Sequence, residues 1–243
     1  MPSVWAIADP HLGLGIQKDM NLFGARWVNH VQRMSEQWDQ IVSPEDTVIL
    51  AGDISWAMTL DEALPDLQWL QQRPGKKILG KGNHDYWWPS AQKFRHFLQV
   101  HQLDQIDFVY NSAVATTDVI VAGSRGWVLS GDGEDSADGD KIREREKQRL
   151  RYSIEQAKRL QQERSDLPLL AFLHYPPLNS RGEASPFTEV LEAEQITLCL
   201  YGHLHGRGAK QAFVGTARGV QYLNTAADAL DFRPLCLDAY LAS

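Results

Sequence analysis

Apolar and polar positions alternate in blocks along the chain. Short β-branched and aliphatic runs at 4–8, 47–51, 77–79, 108–115, 119–123, 169–173, 196–200, 220–224 and 235–241 are punctuated by Gly, Pro, Asp or Asn, and each reads as a strand. Residues 21–42 read as one helix, with Phe23, Trp27, Val31, Met34 and Trp38 on a single face. Thr59-Leu-Asp-Glu62 fits a capping box, although Pro65 sits uneasily inside the helix that follows. A further helix is predicted over 89–100, with Pro89 at its first position. Strands alternating with helices predict an α/β fold of sheets covered by helices. The 108–123 pair and the closing strands add a hairpin-like, partly antiparallel character. No internal repeat and no linker divides the chain.

One segment breaks the pattern. Residues 130–140 are acidic and turn-rich, and 141–164 form a strongly charged helix with a thin apolar stripe of Ile142, Leu150, Ile154, Ala157 and Leu160. Two readings compete: a solvated surface helix behind a flexible loop, or a lid or substrate-selecting insertion spanning about 130–166.

Composition narrows the classes. A chain of 243 residues can bury a core without disulfides, and 43% hydrophobic with 23% charged residues excludes disorder and a membrane protein. The net charge of -7 argues against long nucleic acid or anionic lipid as a partner, while leaving room for a local basic site. Two cysteines make no disulfide framework, the N-terminus has no signal-peptide pattern and no run is long enough to span a membrane, so the cytoplasm is the expected compartment.

Five motifs put a metal-capable side chain directly after an apolar run: Asp9-Pro-His11, Gly52-Asp53, Gly82-Asn83-His84-Asp85, His174 and Gly202-His203-Leu-His205. Five of the eight histidines lie in them. Ligands of α/β proteins bind outside the carboxyl ends of strands, so these five ends are expected on one rim. Imidazole with carboxylate and no thiolate suits Zn, Fe, Mn or Co. Each motif alone is weak; a solvated turn or a helix cap explains it equally well. All five in this order are hard to reach by chance.

This set resembles the calcineurin-like metallophosphoesterase superfamily. The resemblance implies a four-layer α/β/β/α sandwich with two mixed β-sheets, formed by 1–243 as a single metallophosphoesterase domain. It also implies two divalent transition metal ions, one held by Asp9, His11, Asp53 and His205 and the other by Asp53, Asn83, His174 and His203, with Asp53 bridging. The implied activity is hydrolysis of a phosphodiester or phosphomonoester by two-metal activation of a bridging hydroxide. His84 would face the substrate as general acid for the leaving alkoxide or as hydrogen-bond donor to a phosphate oxygen, and Asp85 would orient its ring and favour its protonated form.

The chain also departs from the family pattern. Gly52-Asp-Ile-Ser-Trp56 lacks the second Asp and the following Arg that many relatives use to bind phosphate. Arg125 and Arg181 are the candidates to replace that Arg, with a surface position as the plain alternative. Tyr86, Trp87 and Trp88 either wall the pocket or pack in the core. The expected partner is a small phosphorylated substrate such as a nucleotide. Competing readings are a non-catalytic scaffold of the same fold and a nuclease subunit; the intact set of ligands and His84 speaks against the scaffold.

Overall fold

The computed structural model describes residues 2–129 and 137–242. Its strands are β1 (Val4–Ile7), β2 (Thr47–Leu50), β3 (Lys76–Leu79), β4 (Ile106–Phe108), β5 (Val114–Ala115), β6 (Ile120–Ser124), β7 (Leu169–Leu173), β8 (Leu198–Tyr201), β9 (Gly215–Ala217), β10 (Val220–Asn224) and β11 (Leu235–Cys236). Its helices are α1 (His30–Ile41), α2 (Leu60–Gln72), α3 (Ala91–Val100), α4 (Ala137–Glu163), α5 (Pro186–Ala193), α6 (Arg207–Gln211) and α7 (Asp238–Leu241).

The strands form two mixed sheets, ordered β11-β1-β2-β3-β4 and β5-β6-β7-β8-β10-β9. Their central strands are parallel, and the antiparallel pairs are β11 with β1, β5 with β6 and β9 with β10. Alternate residues of each strand face opposite ways. Val4, Ala6, Ile49 and Ile78 of the first sheet therefore meet Val121, Leu170, Phe172 and Leu198 of the second in one apolar layer. Ile7, Leu50 and Leu79 point the other way, onto Met34, Trp38, Leu67, Leu70 and Phe94 of α1, α2 and α3. On the far side, Ala171 and Leu173 meet Leu150 and Ile154 of α4 and Phe187 and Val190 of α5. The order is helix, sheet, sheet, helix. Among the described residues no helix is long and apolar enough to cross a membrane.

Several expectations change. The 108–115 run splits between the sheets, with β4 in the first and β5 in the second, because the chain turns at left-handed Asn111 (φ 52°). The 21–42 helix starts only at His30. Two short 3-10 turns precede it, left-handed Asn29 (φ 54°) separates them from it, and Phe23 is exposed. Pro89 lies outside α3, whose cap is Ser90 accepting from the Lys93 N–H. The last run is a two-residue strand followed by α7, and Asp238 at the start of α7 accepts the Val4 N–H at 2.9 Å. The capping box at Thr59 and Glu62 is present, and α2 continues through Pro65.

The charged helix packs its apolar stripe and leaves its other side in solvent. Leu150, Ile154 and Ala157 are fully buried on the second sheet, together with Ser153, whose hydroxyl accepts the Gly123 N–H at 2.8 Å. Helix α4 therefore supplies part of the outer layer; the acidic stretch at 130–136 lies outside the described residues. Leu150→Ala should cost about 2–5 kcal/mol in chemical denaturation. Tyr152→Ala, on the exposed side of α4, should stay within about 0.5 kcal/mol. Equal, small losses would return the helix to the surface.

Candidate metal centre

The five motif strands deliver their last residues to one rim, and backbone hydrogen bonds lock the turns together. Asp9 N–H donates to the Gly52 carbonyl at 2.9 Å, His11 N–H to Asp53 at 3.1 Å, and Gly202 N–H to His174 at 3.1 Å. Asp9, His11, Asp53 and His203 are all left-handed, with φ of 56°, 45°, 52° and 69°. Such backbone is disfavoured for residues with a Cβ, and its clustering here marks a place where position outweighs local comfort.

Two groups of donors result. Asp9, His11 and His205 form one; Asp53, His174 and His203 form the other. In the first, His205 Nε2 is 3.5 Å from Asp9 Oδ1 and 3.2 Å from His11 Nε2. In the second, His174 Nε2 is 3.4 Å from Asp53 Oδ2 and 2.7 Å from Asn83 Oδ1, which is also 2.9 Å from His203 Nδ1. Asp53 Oδ2 is 3.8 Å from His11 Nε2 as well, so this carboxylate lies between the groups.

The far edges of the rings are tied. His174 Nδ1 donates to the Ala51 carbonyl at 3.0 Å, and His205 Nδ1 faces Asp228 Oδ1 at 2.8 Å. Both ties turn Nε2 inward as the ligating atom, as carboxylate and carbonyl partners do at metal-bound histidines. Asp9 Oδ1 is buried with no hydrogen-bond partner. An orphaned carboxylate oxygen, converging imidazole edges and an amide oxygen fit hard or borderline divalent cations.

The electrostatics reflect this crowding. Burial works against a charged Asp53, but His174 and then His11 hold its carboxyl well below the usual range. Burial likewise opposes protonation of His174 and His205, yet Asp53 raises His174 to about 9, and Asp228 with Asp9 raises His205 to about 10. Burial, reinforced by His174, pushes His203 down to about 3, and burial lowers His11 and His84. Protons and cations compete here for the same lone pairs.

A cavity of about 320 Å³ opens over the centre, lined by His11, Asp53, His84, His203 and His205 on its polar side. Trp27, Trp56, Phe23 and Met20 make the apolar side. Trp56 stands in the motif that lacks the family's Arg. It stacks on His11 at 4.8 Å and Phe23 at 5.9 Å, and its ring centre is 4.4 Å from that of His84. The sequence reading missed Trp27, Trp56, Arg26 and Asp228. Asp228 follows β10, a sixth strand end beside the five, and that position was its signal.

One expectation is corrected, and three substrate candidates lie away from the metal cavity. Asp85 does not orient His84. Its carboxylate accepts the N–H groups of Gly82, Ile54 and Ser55 and the Trp87 indole at 2.7–3.1 Å, so it clasps the second and third motif turns together. Burial and then the Asp53 charge push this carboxyl up, to about 7, against the pull of those donors. Arg125 pairs with Glu146 at 3.7 Å and lines a different cavity. Arg181 has a largely exposed side chain beside Glu183. Tyr86 is 64% exposed and is not among the residues lining the cavity, while Trp87 and Trp88 pack in the first outer core.

Fold and site together define a metal-binding α/β sandwich with its donors at strand ends. The calcineurin-like phosphoesterase profile matches residues 2–207, and the chain belongs to that family. The Gene 66 proteins of Mycobacterium phages D29 and L5 are 40% and 33% identical over 86 and 85 residues; these matches span 35% of this chain and 41% of the phage proteins. A protein of unknown function, AQ665 from Aquifex aeolicus, superposes with a TM-score of 0.53 over 99% of this chain and 98% of its own, at 15% identity. That likeness is one of fold.

Asp85→Ala strips the acceptor from three buried backbone N–H groups. At about 1–3 kcal/mol each, the loss should reach at least about 3 kcal/mol in urea denaturation. An unchanged midpoint with altered His84 titration would restore the orienting role.

Proposed function

We propose that the protein is a metal-dependent phosphohydrolase that acts on a phosphodiester or phosphomonoester of a small molecule, such as a nucleotide. The carrying observation is the pair of donor groups with Asp53 between them, at the floor of a cavity that His84 also lines. Asp9, His11, Asp53 and His205 would hold one divalent cation, and Asp53, Asn83, His174 and His203 the other. Two such cations, drawn from Mn, Fe, Zn and Co, would supply water activation and a clamp on the phosphoryl oxygens.

The chain's own groups divide the remaining work. His84 is half-buried beside Trp56, and its backbone N–H donates to Asp53 Oδ1 at 2.7 Å, which fixes the residue relative to the centre. Burial lowers its ring, and an incoming phosphoryl anion would favour the charged form, giving a proton donor for the leaving alkoxide. Arg26 takes the role expected of Arg125 or Arg181: its Nη1 donates to the Asp228 carbonyl at 2.7 Å, anchoring the guanidinium at the cavity wall. Trp56 already stacks on His11 and Phe23, and Lys18 Nζ lies 3.3 Å from its ring centre, so the aromatic wall offers apolar contact rather than a free stacking platform. The two free thiols suit a reducing compartment such as the cytoplasm.

Protein loaded with Mn, Co, Ni, Zn or Mg should hydrolyse p-nitrophenyl phosphate or its bis ester, and failure on both would refute the reading. Asp53→Ala should abolish hydrolysis. His84→Ala should lose rate most on poor leaving groups; equal loss on all would contradict its acid role. Arg26→Ala should raise KM roughly ten- to a hundredfold with a smaller change in kcat, since it loses charged hydrogen bonds to the bound phosphoryl group.

A further inference from the structure

A second cavity, of about 220 Å³, lies on the same rim at its β3–β6 side and shares no lining residue with the metal cavity. Lys81 from the turn after β3, Arg125 from the turn after β6, and Arg145 and Arg149 from α4 line it, and Glu146 is the one carboxylate among them. Arg145 and Arg149 are four apart on α4 and so share a face.

The cations outnumber their partners. Glu146 is 1% exposed; its Oε1 takes Arg149 Nη1 at 2.6 Å and lies 3.7 Å from Arg125 Nη2. That one charge is shared by two guanidinium groups. Lys81 and Arg145 make no ion pair among the described residues, and Arg125 Nε is buried with no hydrogen-bond partner. The Arg125 guanidinium also sits 4.6 Å over the Trp127 ring, which holds its plane in place. In a protein of net charge -7, gathering four cations around one carboxylate costs self-repulsion that a bound anion would relieve. Fixed guanidinium forks match tetrahedral oxyanions in geometry and charge.

We propose that this cavity is a second, metal-independent binding site for a phosphate-class oxyanion. It is built to influence the metal centre. Lys81 precedes Asn83 by two residues, and the Arg125 carbonyl accepts the N–H groups of His174 and Tyr175, each at 3.0 Å. An anion held between Lys81 and Arg125 would brace the turns that carry Asn83 and His174. The oxyanion is either free phosphate or a second phosphate of the substrate; the chemistry is shared.

The test uses the full chain stripped of metal by chelation, titrated calorimetrically with inorganic phosphate and pyrophosphate. Saturable one-site binding is expected. It should weaken about tenfold or more in Arg145→Glu, and in the milder Arg149→Lys to a smaller degree, and it should persist in His203→Ala, which changes the metal cavity and no residue lining this one. Arg145 is exposed, so Arg145→Glu should keep the wild-type melting temperature without phosphate. No saturable binding, or binding that survives Arg145→Glu but is lost in His203→Ala, would overturn the proposal. This arm reads binding without hydrolysis, so it stands or falls apart from the proposed activity. With metal-loaded enzyme, free phosphate as the ligand predicts a phosphate effect on p-nitrophenyl phosphate turnover that Arg145→Glu removes. A substrate phosphate as the ligand predicts a KM increase in Arg145→Glu confined to substrates with two phosphates.

Discussion

Two carboxylates, Asp9 and Asp53, are buried where the two sheets meet, at 0% and 1% exposure. A buried carboxylate costs several kcal/mol unless its oxygens are matched, so the surrounding chain must answer for both. One oxygen of each is met by backbone: Asp9 Oδ2 by the His203 N–H and Asp53 Oδ1 by the His84 N–H. The other oxygen of each faces the imidazoles. These demands fix the neighbourhood. A Cβ on Gly82 would lie 2.1 Å from Asp53 Oδ1, and one on Gly202 2.3 Å from Asp9 Oδ2, which is why both motifs open with glycine. Left-handed backbone at Asp9 and Asp53 is the remaining cost, paid where the turns are tied by several hydrogen bonds.

The strands and the donor residues were legible because both are local patterns. An apolar run closed by a turn former, followed by Asp, Asn or His, describes a strand and its rim without reference to distant residues. Asp85 was misread for the opposite reason. Adjacency to His84 suggested contact, but its carboxylate turns away to gather three N–H groups from two loops, and such a clasp has no sequence period. The stripe of helix α4 was visible because Leu150, Ile154 and Ala157 recur at helical spacing, but Ser153, buried beside them with its hydroxyl on the Gly123 N–H, had no such signal. The 108–115 run shows a third limit: apolarity marks burial, and both sheets offer it.

Net charge was the least informative number, because the protein separates its charges. Acidic and imidazole groups gather in one cavity, and four cations around Glu146 gather in the next. The turn after β3 serves both, through Lys81 and Asn83, and the turn after β6 is tied to the turn after β7 by the Arg125 carbonyl, which accepts the His174 N–H. The metal-donor cavity and the cationic cavity thus lie side by side on one rim, joined through neighbouring strand ends.

The strand ends are proposed to form a paired cation site divided by Asp53. Anomalous diffraction from crystals soaked in manganese reads this directly. Two anomalous peaks are expected, one against Asp9, His11 and His205 and the other against Asn83, His174 and His203, with the Asp53 carboxylate touching both. A single peak, or peaks away from Asp53, would contradict it.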